Sequence, residues 1–251
     1  RAALKFNPAS SDIRAELAFL YIKKGDTDRA EELLKEAIEI NPTNRDAIFL
    51  LAGTRSAKGD LASAKTLYEK CIALNPEDTE AYLYLGSLYV AEKRYKDALI
   101  IYEKILTYDS ENIISLYYTA RLSAEIKDYK KANILYNKVL ELKPNFEPAM
   151  LDLATINEIE GDLEKAIEYY QKVISTDPAN KKARSRIAAI FIRQKEYDKA
   201  IVEFEELSGI DRKDLSIRIR IGLLHLEQKR FDEAIREFNF ILTSTPGNNT
   251  V

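Results

Sequence analysis

The sequence has few of the residues that most often carry catalysis or bind metal ions. Its 251 residues include one histidine, one cysteine and no tryptophan. Cys71 cannot form a disulfide within the chain, so it neither indicates nor excludes an oxidising compartment. Cys71 and His225 stand where equivalent segments carry packing residues, which favours an inert buried thiol and a packed imidazole. Because phosphate loops, nucleophile elbows and paired metal-ligand spacings are also missing, we predict no enzymatic activity, no cofactor and no metal site.

Long apolar runs and a dominant charge are missing too. The net charge is −3 with 31% charged residues, so no general attraction to nucleic acid or membrane follows. No apolar stretch approaches the ~20 residues that a membrane-spanning helix needs, and no signal peptide is visible. We expect a soluble protein without membrane insertion, and the sequence does not choose between cytoplasm and periplasm.

What the sequence does contain is a repeat. Alanine recurs every 34 residues, at Ala30, Ala64, Ala98, Ala132, Ala166, Ala200 and Ala234. A second series of small residues precedes it at a constant distance, at Ala18, Ala52, Gly86, Ala120, Ala154, Ala188 and Gly222. A third series is bulky, at Leu34, Tyr68, Tyr102, Tyr136, Tyr170, Phe204 and Phe238. The small series predict close helix crossings, and the bulky series predicts core side chains.

Glycine and proline punctuate each unit in the same way. Gly25, Gly59 and Gly161 fall where a first helix would end in a left-handed residue, and an aspartate that can cap the next helix follows each. Four other units carry lysine at that turn: Lys93, Lys127, Lys195 and Lys229. Prolines after the second helices predict where those helices stop: Pro8, Pro42, Pro76, Pro144, Pro178 and Pro246.

Together, the spacing, the small residues and the prolines resemble a tetratricopeptide-repeat array over practically the whole chain. The resemblance implies an all-α fold, a right-handed superhelical α-α solenoid of helix–turn–helix repeats that forms one domain over residues 1–251. Seven repeats would span residues 11–44, 45–78, 79–112, 113–146, 147–180, 181–214 and 215–248. Residues 1–10 would be the tail of a preceding repeat and residues 249–251 the start of a following one. We therefore interpret the chain as a segment of a larger, bacterial-type protein.

The resemblance also implies a groove lined by the first helix of each repeat. Along the chain this lining changes from apolar to acidic and then to basic. The candidate partner-binding residues are Phe19, Phe49, Leu50, Leu83, Tyr84, Tyr117, Tyr118, Arg121, Asp152, Lys182, Arg186, Arg193 and Arg220. Two alternatives remain open: some apolar members would only seal neighbouring repeats together, and the basic ones would be solvated surface charges.

A clamp for the C-terminal carboxylate of a chaperone peptide, the best-known use of such a groove, is not expected here. Lys182 and Arg186 match the last pair of the clamp residues that the resemblance implies. Tyr117 and Arg121 stand where lysine and asparagine are wanted, and Asp152 replaces the middle asparagine. The carboxylate of Asp152 would repel that of the ligand.

The leading functional prediction is a non-catalytic scaffold that holds a protein or peptide segment in the groove. An alternative is the recruiting or regulatory arm of a larger enzyme or of a secretion or polysaccharide-export assembly. A third reading is polyanion or RNA binding on the basic repeats, which lack the interleaved aromatics of stacking platforms. We also expect end-to-end self-association, because no polar capping unit covers the terminal repeats.

Overall fold

The computed structural model describes residues 10–244, and within that range the chain is helical with no strand. The chain divides into two compact units, residues 1–135 and 136–251. The helices of the first unit are α1 (Ser11–Lys24), α2 (Thr27–Ile40), α3 (Arg45–Ala57), α4 (Leu61–Leu74), α5 (Thr79–Ala91), α6 (Tyr95–Leu106) and α7 (Ile113–Glu125), followed by α8 (Tyr129–Leu142), which contains the division. Sequential pairs form hairpins here, α1 with α2, α3 with α4 and α5 with α6.

The second unit continues the same pattern. Its helices are α9 (Glu147–Glu160), α10 (Leu163–Thr176), α11 (Lys181–Arg193), α12 (Tyr197–Ile210), α13 (Leu215–Glu227) and α14 (Phe231–Ser244). The hairpins are α9 with α10, α11 with α12 and α13 with α14, and each second helix also packs on the following first helix. Fourteen helices in the described range confirm the predicted all-α repeat fold. The predicted tail at residues 1–10, apart from Ser10, and the predicted restart at 249–251 lie outside that range, as do Pro8 and Pro246.

The core of each hairpin uses the three residue series found in the sequence. The exposed fraction of the recurring alanines is 0% or 1%. The four core tyrosines are each 1% exposed: Tyr68, Tyr102, Tyr136 and Tyr170. Small residues let two helix backbones approach, and the large ring then fills the space one turn further along. The sequence-based assignment of these tyrosines to the core is confirmed.

The turns between paired helices adopt one backbone conformation whether or not they contain glycine. Gly25, Gly59 and Gly161 have φ values of 84°, 84° and 86°. The lysines at this turn are also left-handed: Lys93, Lys127, Lys195 and Lys229 have φ values between 58° and 66°. Lysine in place of glycine therefore keeps the left-handed turn, and the lysine backbone is strained as a result.

Side chains cap both helices of a repeat. The aspartates after the turn glycines accept backbone N–H bonds at the starts of the second helices, for example from Arg29 to Asp26 at 3.3 Å. Five of the seven described first helices begin after a capping Asn or Asp; at α3, for example, Asn44 Oδ1 accepts from the N–H of Ala47 at 3.0 Å. The exceptions are α1, which Ser10 caps, and α9, which follows Phe146 without a side-chain cap. Asn44 Nδ2 also donates to Ser11 Oγ at 2.7 Å and Asp12 Oδ1 at 2.8 Å in the preceding repeat. One residue thus starts a helix and ties two repeats together.

Candidate functional site

An aromatic cluster in the first unit joins two rings of first helices, Phe49 and Tyr84, to the core ring of Tyr68 on α4. The ring of Phe49 meets Tyr84 edge to face at 5.2 Å and Tyr68 at 5.4 Å, measured between ring centroids. Tyr84 stacks on Tyr68 at 5.6 Å with an interplanar angle of 19°. Tyr68 belongs to the buried core, whereas Tyr84 is 49% exposed. The core therefore holds the Tyr84 ring in a fixed orientation while much of its surface stays in water.

This cluster borders a cavity of about 460 Å³, referred to below as the Tyr84 cavity. Its apolar lining comes from α1, α3 and α5: Ala15, Phe19, Phe49, Leu50 and Tyr84. Phe19 is 40% exposed, and the other two candidates, Phe49 and Leu50, are half-buried. The structure thus brings together four of the predicted residues, one from the first repeat, two from the second and one from the third.

The remaining lining of the Tyr84 cavity is charged or polar, which the sequence analysis did not single out. Four carboxylates contribute to it: Asp12, Glu16, Asp46 and Glu80. Each is the second or sixth residue of its 34-residue repeat, as Lys182 and Tyr84 are of theirs. Counting these places in every repeat would have found the four carboxylates.

Arg45 fixes the floor of the cavity. Its guanidinium makes two bonds of 2.7 Å to the carboxylate of Asp78, one of 2.9 Å to Glu80, and lies 4.3 Å above the Phe49 ring. Burial acts to raise the pKa of Asp78, but the Arg45 bonds and the Ala81 N–H outweigh it and lower that pKa. These contacts occupy the Arg45 guanidinium and hold the Phe49 ring in place.

The third and fourth repeats present their predicted residues differently. Tyr118 is half-buried and stacks on core residue Tyr102 at 5.1 Å with an interplanar angle of 13°. Leu83 and Tyr118 pack against the core cluster around Tyr102, which supports inter-repeat sealing as their main role. Tyr117 contacts Tyr118 edge to face at 5.4 Å, and the side chain of Arg121 is exposed.

In the second unit the acidic candidates are tied to core tyrosines. Asp152 accepts a hydrogen bond of 2.9 Å from the hydroxyl of Tyr136. Glu158, a second carboxylate on α9, accepts one of 2.5 Å from Tyr170. Burial, followed by the neighbouring Glu158 carboxylate, raises the pKa of Tyr170. Both carboxylates are half-buried and serve the hairpin interior as well as the surface.

The four basic candidates of the second unit are exposed on α11 and α13: Lys182, Arg186, Arg193 and Arg220. Arg186 Nη1 lies 3.9 Å from Glu158 Oε2, at the outer limit of an ion pair. The Arg220 guanidinium lies 5.9 Å from the Phe204 ring. These contacts are long, so the cationic groups remain accessible to a ligand.

The single cysteine and histidine take packing positions. Cys71 is fully buried, and desolvation raises the pKa of its thiol to about 11, in agreement with an inert thiol. His225 is half-buried, and its Nδ1 atom is enclosed without a hydrogen-bond partner. Among residues 10–244, no three His, Cys, Asp or Glu side chains are grouped to hold a metal ion.

These observations define a class: an array of capped helix hairpins with an accessible face on its first helices. The tetratricopeptide-repeat family model matches residues 1–52, 24–64, 55–121 and 159–218, which together cover more than half of the chain. The chain belongs to the tetratricopeptide-repeat family. Members of this family are in general non-catalytic scaffolds for protein interactions.

Solved structures share the fold at low sequence identity. A tetratricopeptide-repeat protein from Parabacteroides merdae is 21% identical with a TM-score of 0.69, over 95% of this chain and 94% of that one. PilF from Pseudomonas aeruginosa is 20% identical with a TM-score of 0.66, over 86% and 97%. YrrB, described as having an unusual peptide-binding site, is 23% identical with a TM-score of 0.59, over 78% and 97%. No curated protein sequence matches the chain. None of the described helices is both long and apolar enough to cross a membrane.

Proposed function

We propose that the chain is a scaffold that binds a segment of a partner protein on the surface of its first helices. The observation that carries this proposal is the Tyr84 cavity, where a rigidly stacked ring remains 49% exposed. Aromatic side chains held in place lose little conformational entropy when a partner covers them, and they dominate the energy of many interfaces. The peptide-binding site of YrrB supports this use of the fold.

The exposed cations of the second unit form a separate, polar candidate surface. Arg186 and Arg220 occupy the same position in neighbouring repeats, and Lys182 lies one turn before Arg186. We infer that these groups meet acidic side chains of a partner. Exposed charges of this kind set association rate and orientation more than affinity, so their effect would depend strongly on salt.

The test is site-specific photocrosslinking in the organism's own extract. A photoreactive phenylalanine at residue 84 should capture a partner, whereas the same group at residue 100 should not. Ile100 is 64% exposed on α6, so it is a matched control for an accessible residue on a second helix. The captured protein is then purified and titrated against wild type, Tyr84→Ala and Ile100→Ala. Equal affinity of the two variants would reject the first-helix surface as the site.

A second candidate role is attachment to a larger assembly through the last described helix. The side chain of Ile235 on α14 is 55% exposed, whereas Ile201 at the same position of the preceding repeat is 6% exposed. Ile201 packs in one cluster with residues of α13, and no described helix covers Ile235 in that way. PilW, described as a type IV pilus biogenesis factor, shares the fold at 20% identity with a TM-score of 0.65. Copurification of partner proteins with the wild-type chain, compared with their copurification with Ile235→Lys, would test whether this face attaches the chain to an assembly.

A further inference from the structure

We infer that the Tyr84 cavity selects a basic segment, in which an aliphatic or aromatic anchor is flanked by lysine or arginine. The inference rests on the proposed function and adds the chemistry of the partner. Its basis is the charge of the rim: Asp12, Glu16, Asp46 and Glu80 surround an apolar floor. A cationic side chain beside the anchor would meet these carboxylates as the anchor leaves water.

The one cation of the lining does not neutralise this rim. Arg45 is shared by three carboxylates: it makes two bonds of 2.7 Å to Asp78, which is 5% exposed, and contacts Glu80 at 2.9 Å and Asp46 at 3.4 Å. Its single positive charge is set against the four rim carboxylates and Asp78, so the lining keeps a net negative charge. Asp46 and Glu80 remain 78% and 54% exposed, and an ammonium group can approach them without desolvating a buried ion.

The aromatic floor favours the same ligand class. Phe49 already carries the Arg45 guanidinium on its face at 4.3 Å, so a cation–π contact forms on this floor within the chain itself. Tyr84 is stacked on Tyr68 on one side and exposed by 49%, so ring surface is available to an incoming side chain. An acidic segment would gain the same apolar contacts but would be repelled by four carboxylates.

The experiment uses three labelled synthetic peptides and the whole chain. The first has leucine and phenylalanine on one helical face and lysine on the other. The second carries glutamate in place of every lysine, and the third keeps the lysines but replaces the apolar face with serine. Fluorescence anisotropy at low and high salt measures each affinity. We expect binding that depends on Tyr84 for the first peptide only, with affinity that falls as salt rises.

Two variants separate the apolar and the ionic contributions. Tyr84→Ala should weaken binding of the lysine peptide about tenfold or more, and Tyr84→Phe should restore most of it. The double variant Glu16→Gln with Asp46→Asn should remove most of the salt dependence while leaving Arg45 and Asp78 paired. Its control is Glu32→Gln with Glu69→Gln, two exposed second-helix carboxylates whose loss changes the net charge equally.

The possible results are distinct. Equal binding of the lysine and glutamate peptides, or an unchanged salt dependence in the rim variant, overturns the inference. If a glutamate peptide binds and depends on Tyr84, the cavity is still a partner site and only its charge preference is wrong. If the serine peptide binds as well as the first, the attraction is general and the cavity plays no part. If no peptide depends on Tyr84, the inference fails, and the photocrosslinking at residue 84 decides the proposed function independently.

Discussion

Gly86 of α5 lies directly against the ring of Tyr102 of α6: a β-carbon at residue 86 would stand 2.7 Å from Cζ of that ring. The same relationship joins Gly222 to Phe238, at 2.8 Å from Cε1. Distances below 3.0 Å are not found for real β-carbons, so in these two hairpins the backbone of the first helix touches the core ring.

The first prediction concerns this contact. Gly86→Ala should destabilise the chain by about 1–3 kcal/mol, because the Tyr102 ring must move within a packed hairpin. Gly53→Ala is the control, since its β-carbon would meet only Tyr68 Oη at an ordinary 3.6 Å. That change should stabilise α3 by about 0.5–1 kcal/mol through helix propensity. Denaturant midpoints of the two variants should therefore move in opposite directions. A rise for both would mean that the helices of the third repeat are not in close contact at Gly86.

Much of the fold could be predicted because repetition removes the usual ambiguity of helix boundaries. Helix α5 begins at Thr79, and Pro42, Pro76, Pro144 and Pro178 follow the ends of their helices. Each boundary is specified several times by the same local chemistry. The conformation of the lysine turns could not be predicted from the residue type, because only the fixed distance between paired helices forces lysine into the left-handed region.

The second prediction concerns those turns. Lys93→Gly should stabilise the chain by up to about 1 kcal/mol, because glycine adopts its φ of 58° without strain, less the entropy that glycine loses on folding. Lys96→Gly lies three residues later, exposed in the first turn of α6, and should destabilise by somewhat less than the roughly 1 kcal/mol of a helix interior. Thermal melting of both variants is the measurement. If Lys93→Gly lowers the melting temperature as much as Lys96→Gly does, the lysine turn carries no strain.

The third prediction concerns acid stability. Glu31 accepts bonds from Lys35 at 2.8 Å, Lys58 at 2.8 Å and Arg55 at 2.7 Å. The hydrogen bonds from Lys35 and Lys58, with the nearby Arg55 charge, lower its pKa from 4.5 to about 2. A depressed carboxyl pKa stabilises the folded state above the unfolded value and loses that effect as pH falls through the folded value. Stability should thus decline between about pH 4.5 and pH 2 in wild type, and less steeply in Glu31→Gln.

The adjacent Glu32 provides the control for this experiment. It is exposed on the same helix, and Glu32→Gln should leave the acid-induced decline as it is in wild type. Unfolding is followed by circular dichroism from neutral to acidic pH at constant salt. Parallel curves for wild type and Glu31→Gln would show that the three cations do not hold Glu31 in its charged form.

The candidate site was less predictable than the fold, for a physical reason. Repeat positions indicated which side chains share a surface, and Phe19, Phe49 and Tyr84 do line one cavity. Whether a ring is core or surface depends on rotamers and neighbours, so Tyr84 and Tyr118 share a repeat position but differ in exposure. The bonds from Tyr136 to Asp152 and from Tyr170 to Glu158 likewise depend on side-chain directions that no spacing specifies.

The last prediction concerns self-association through α14. Phe231, Ile235 and Leu242 are 60%, 55% and 60% exposed on this helix, and a second copy that covers them would remove apolar surface from water. We expect concentration-dependent association in analytical ultracentrifugation, and we expect Ile235→Lys to abolish it by placing a charge in the interface. Ile100→Lys makes the same change at a residue that is 64% exposed on α6, and it should leave association intact. A wild-type chain that stays monomeric at high concentration would contradict the prediction. If association is lost equally in both variants, the added positive charge is the cause. Only a specific contact on α14 would make Ile235→Lys differ from Ile100→Lys.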